Sequence, residues 1–217
     1  MRFIRPESTP LIDAARTLPE STRGADAAAA ALRADHERWS RTLWGVGAFL
    51  VFAVGALLTG MMVDLLVGYA TTAAEQTLAV ALVVLGVALA AAGLVVLFRL
   101  WRTGRALSRA AVIWSRVPYL LGVRDRSATG WLAPRPVRES PVMFVRVAAC
   151  ALLLLVAVFG LSILFFPGRE AMVATSVACA LIGAVAAFCL AGLFGGIVTM
   201  QRGIRERDPR WVRALAR

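Results

Sequence analysis

Four stretches of this chain run for 20 residues or more without one ionised side chain: 43–63, 77–98, 147–166 and 171–200. A bilayer's hydrocarbon core is ~30 Å thick, and a helix rising ~1.5 Å per residue needs about 20 apolar residues to cross it. Core helices of water-soluble proteins rarely go that far without a charge. Four such runs in 217 residues leave no length for a sizeable water-soluble core. The expected fold is therefore an all-α integral membrane protein, with four transmembrane helices arranged as two hairpins. None of the four runs holds an Asp, Glu, Arg or His, the costly groups that usually mark ion pathways and proton relays inside a membrane.

The net charge of +11 raises the question of nucleic acid, since a basic soluble domain would suggest phosphate contacts. Here the charge is distributed around membrane spans, and no nucleic-acid partner is expected. All 24 basic residues are arginine, and the chain has no lysine and no asparagine, as high-GC coding favours. Seven arginines precede the first run, ten lie in 99–146, six follow the fourth run, and Arg169 alone falls in a short connection. Basic residues near spans are retained in the cytoplasm. Both termini and the central connection are thus expected inside, with the two short connections outside, in a cytoplasmic (inner) membrane. Apolar character begins only at Leu43, too late for a cleaved signal, so residues 1–42 should stay in the mature protein.

The chain reads as five segments: a cytoplasmic arm and helix (1–41), a first hairpin (42–98), an arginine-rich helix with a Pro/Gly loop (99–146), a second hairpin (147–200) and a basic tail (201–217). Pro6, Pro10 and Pro19 predict an extended arm before residue 25. The alanine run after Asp26 predicts a helix with Asp26 as N-cap, feeding directly into the first span. His36, flanked by Asp35 and Glu37, reads as an exposed helical residue. After the second run the helix should continue as a cytoplasmic amphipathic extension to Pro118. At 100° per residue, Arg102, Arg105, Arg109 and Arg116 share one arc, with Leu100, Leu107, Ala111 and Trp114 opposite. That basic face suits anionic lipid headgroups or an acidic protein surface, or serves only to orient the chain. The Pro/Gly-rich segment after it is expected to be irregular, and Phe166-Pro167-Gly168-Arg169-Glu170 to form the turn between the last two spans.

No motif carries chemistry. There is no G-x-S-x-G, H-E-x-x-H, P-loop or C-x-x-C, and one histidine cannot build a histidine-rich metal site. No catalytic residue, cofactor or metal is expected, and the chain is not read as an enzyme. Cys150, Cys179 and Cys189 lie inside the third and fourth runs and read as small packing residues. Asp64 and Glu75 read as solvated interfacial carboxylates. One pattern stands out: Thr175, Cys179, Gly183, Ala187, Ala191 and Gly195 recur at every fourth position. Small residues at that spacing let two helix backbones approach closely in lipid. The stripe packs either inside the bundle, against Ala56-x-x-x-Gly60 or Gly86-x-x-x-Ala90, or against another subunit.

The four-span layout, the arginine-rich central connection and the segments ALRADHERWSRTLWG and LWRTGRALSRAAVIWSRVP resemble the small accessory membrane subunits of actinobacterial Mce lipid importers. The resemblance covers layout and no diagnostic motif. It implies a non-catalytic accessory or stabilising subunit, with other membrane subunits of an ABC-type lipid or fatty-acid importer as partners. Two other readings remain open. One is a self-associating transporter or channel, which Thr59, Ser162, Thr175 and Ser176 are too few to line. The other is a membrane-bound regulator that reads anionic lipid through its basic helix.

Overall fold

The computed structural model describes residues 3–17, 22–123, 141–166 and 172–205, with backbone only at 141–143 and 200–205. Among the described residues the regular elements are all helices, with no strand: α1 (Ser8–Arg16), α2 (Ala25–His36), α3 (Trp39–Gly68), α4 (Ala73–Leu120), α5 (Pro141–Ser162), a 3-10 turn (Ile163–Phe165) and α6 (Val173–Arg205). Four helices are long and apolar enough to cross a membrane, each matching one of the charge-free runs. The all-α, four-span expectation holds. The chain divides into two units, one made of Met1–Arg41, Trp101–Val145 and Leu193–Arg217, the other of Thr42–Leu100 and Arg146–Gly192.

The second unit holds the apolar helices, and small residues decide where they meet. A side chain at Gly55 of α3 would put its Cβ 2.5 Å from the Ala90 nitrogen and 2.5 Å from the Gly86 oxygen, so the α3 and α4 backbones touch. Gly86 and Gly93 of α4 are as tightly placed, against Thr59 and Gly55 and against Ala48 and Phe52. Gly60 of α3 faces Ala174, Thr175 and Ala178 of α6, and Gly160 of α5 faces Cys179 and Gly183 of α6. Lipid tails are as apolar as leucine, so the gain on association comes from such close packing. Phe52, Ala56, Ala178 and Ile182 form the buried cluster at the α3–α6 seam.

The arginine-rich unit departs from the expected extended arm. Residues 8–16 form α1, because Pro10 falls in the first turn, where its missing N–H has no intrahelical partner to lose. Ser8, Ile12 and Ala15 fall on one face and are buried. The N-cap of α2 is Gly24 and not Asp26, with φ 78°, a left-handed conformation that glycine adopts without strain. The helix does not run unbroken into α3: Glu37 and Arg38 interrupt it. Pro118 lies inside α4, which continues to Leu120 and stops before Gly122 at φ 68°. α5 begins at Pro141, before the apolar run. The predicted turn at Pro167–Glu170, most of the Pro/Gly loop and the end of the basic tail lie outside the described residues.

The seam makes opposite forecasts for two glycines of one helix. Gly55→Ala forces backbones apart and should cost about 1–3 kcal/mol, lowering the thermal transition followed by size-exclusion chromatography in detergent. Gly47→Ala meets nothing within 4 Å and should be neutral or stabilising. Equal transitions for the two variants would remove the seam.

Candidate functional site

Several charged groups among the described residues cap or clamp helices. Asp64, near the end of α3, accepts the Ala174 amide at 2.9 Å through Oδ1 and the Thr175 amide at 2.8 Å through Oδ2. These are first-turn donors of α6 with no intrahelical partner, and a carboxylate there also meets the positive end of the helix dipole. The Thr175 hydroxyl bonds to the same carboxylate. Glu75 closes a capping box on α4: its Oε2 accepts the Thr71 and Thr72 amides at 3.0 and 3.1 Å, while Thr72 Oγ1 accepts the Glu75 amide at 3.3 Å. The two carboxylates read as merely solvated are both helix caps.

A second set of clamps lies in the arginine-rich unit. Asp35, at 0% side-chain exposure, accepts the Arg5 amide at 3.0 Å through Oδ2. Its Oδ1 stands 3.6 Å from the Arg38 guanidinium and 4.0 Å from that of Arg5. Arg41, also buried, donates to the Phe3 carbonyl at 2.6 Å and to Thr103 Oγ1 at 3.0 Å. Trp114 Nε1 donates to the Leu11 carbonyl at 2.8 Å. Between these anchors, Ile12 and Ala15 of α1, Leu32 and the small alanines of α2, and Leu107, Ala111 and Trp114 of α4 form one buried cluster. His36 is half-buried, not exposed as expected: a Cβ on Gly104 or Gly196 would come within 4 Å of its ring.

The amphipathic pattern on α4 is therefore real, but its apolar side is covered by this chain's own N-terminal helices. Of the basic face, Arg102, Arg105 and Arg109 are exposed and Arg116 is half-buried. The Arg105 guanidinium stacks over Trp101 at 4.9 Å.

The small-residue stripe divides along α6. Thr175 and Cys179 are half-buried and Gly183 is buried, packed toward Gly60 and Gly160. Ala187 is half-buried, whereas Ala191 and Gly195 are exposed. Val185, off the stripe, packs against the Phe52 cluster. Gly86 and Ala90 meet α3 and not the stripe. Comparison with known protein families, curated proteins and solved structures finds no match. Among the described residues no group of three or more His, Cys, Asp or Glu side chains comes together, and the three cysteines are free thiols. The hydroxyls of Thr59, Ser162 and Ser176 each donate to a backbone carbonyl three or four residues back.

The residues that sequence reading missed are Asp35, Arg41 and Asp64. Thr72-x-x-Glu75 carried a readable capping signal; Asp64 did not, because its partners lie 110 and 111 residues away.

Asp35→Ala should release the N-terminal segment while leaving the apolar helices folded. Losing the charge-assisted bond costs about 1.5–3 kcal/mol, so segment opening should rise about 10–100-fold. In a chain lacking the native cysteines, Ser8→Cys replaces a side chain that is 3% exposed, and its rate of maleimide labelling reports that opening. An unchanged rate would show that Asp35 holds nothing.

Proposed function

We propose that the chain is a non-catalytic accessory or stabilising subunit of a larger cell-envelope membrane complex, of the kind the Mce-type lipid or fatty-acid importers represent. The observation that carries this reading is the use of the fixed polar groups. Asp35, Arg41, Asp64 and Glu75 all hydrogen-bond to backbone or side chains of this chain, and the in-span hydroxyls bond to their own helices. A transporter or an enzyme needs convergent polar groups aimed at a substrate; these four bond to other parts of the chain instead. What remains outward is apolar helix surface, including Ala191 and Gly195, together with an arginine face. Both suit association with other subunits.

The arginine asymmetry supports placing the termini and the α4 extension on the cytoplasmic side of the inner membrane. Partner subunits then contact the apolar helices within the bilayer and the basic face beneath it.

Purification of the tagged native chain in mild detergent tests the proposal. Other envelope membrane subunits, including components of an ABC-type lipid importer, should co-purify in fixed ratio. Ala191→Leu should weaken that association without lowering the chain's own thermal stability. Recovery of the chain alone, monodisperse and stable, would overturn the reading.

A further inference from the structure

The arginine face of α4 has an apolar reverse that is already filled. Leu107 is 0% exposed, Ala111 1% and Trp114 8%, buried against α1 and α2. An amphipathic helix that binds a leaflet does so by sinking its apolar side among the acyl chains, with arginines flanking. Here that side faces protein, so insertion of this kind would require α1 and α2 to leave.

The arginines themselves are exposed on one side of the helix. Arg102, Arg105 and Arg109 fall within about 60° around the helix and span about 10.5 Å along its axis. They are exposed, and among the described residues no acidic side chain pairs with them. The sequence holds no Asp or Glu between Glu75 and Asp125, so α4 neutralises none of this charge itself. The Arg105 guanidinium carbon lies over the Trp101 ring, 4.9 Å from its centroid, a cation–π contact that favours this placement of the side chain. A planar, oriented guanidinium pairs with a carboxylate through two parallel N–H bonds, which a lysine cannot do.

We infer that the Arg102–Arg105–Arg109 face docks an acidic helix of a partner protein, one presenting carboxylates a helical turn apart along one side. This rests on the accessory-subunit reading and names the chemistry of one partner surface. Carboxylates repeating every ~5.4 Å on an antiparallel helix meet the three guanidinia in register, and the filled apolar side leaves the pairing to charge and hydrogen bonds. Docking weakens as salt rises.

The test uses the full chain in phosphatidylcholine nanodiscs and, as probe, a fluorescent alanine-based helical peptide with glutamates one turn apart, read by anisotropy. Saturable binding is expected. It should weaken about tenfold when Arg102, Arg105 and Arg109 all become Gln, and by a smaller factor when they become Lys. Arg33→Gln should leave it unchanged, and unaltered thermal transitions confirm that each variant is folded. Equal binding by the Gln variant overturns the proposal, as does equal binding by the Lys variant. Loss of peptide binding when phosphatidylglycerol is added to the nanodisc, with lipid retained by the same arginines, makes headgroups the occupant and also overturns it. Native co-purification that persists while the peptide fails to bind refutes this face and leaves the accessory reading standing.

Discussion

Helices surrounded by lipid gain little from hiding apolar side chains, because the surroundings are equally apolar; they gain from touching closely. The arrangement of α3, α4, α5 and α6 follows from that constraint. Gly55, Gly86 and Gly93 bring α3 and α4 to backbone contact, Gly60 seats α6 on α3, and Gly160 seats α6 on α5. At each point a methyl group would meet backbone atoms, so the residue type is set by geometry and not by helix propensity, which glycine lowers. Asp64 then fixes the register of α6 by occupying its first-turn amides.

The arginine-rich unit is held differently. Its N-terminal helices α1 and α2 are short, and its buried side chains are mostly alanines with Leu32, Leu107 and Trp114 among them. A core so rich in alanine buries modest area, which explains why polar anchors recur around it. Asp35, Arg41 and the Trp114 indole each tie the segment 3–11 to another helix. Among the described residues, Asp35, Arg41, Asp64 and Glu75 use their charge as fastening, whereas Arg102, Arg105 and Arg109 face outward, with the opposite side of α4 occupied.

The charge-free runs and the 100° periodicity of residues 99–117 made the four apolar helices and the two-sided α4 legible in the sequence, since both depend only on local spacing. The arm was not legible: three prolines in a row of polar residues argue for extension, and only the burial of Ser8, Ile12 and Ala15 against helices far along the chain turns it into α1. Asp35 sat in plain view beside His36, but its burial depends on Arg5 and Arg38 converging from two sides. The every-fourth stripe on α6 was visible as a pattern, yet its meaning changes along its length, with Gly183 enclosed and Gly195 open. Spacing shows that small residues share a face and says nothing of what lies opposite.

The N-terminal helices cover the apolar side of α4, and that closure leaves the arginines as the available surface. Amide hydrogen exchange of the full chain in nanodiscs measures it directly. The account predicts slow exchange across Ile12–Arg16, comparable with that of α2 from Ala29 to Asp35, since both share one core. Exchange of Ile12–Arg16 within seconds, beside a protected α2, would mean that α4 presents its apolar side openly, and would contradict it.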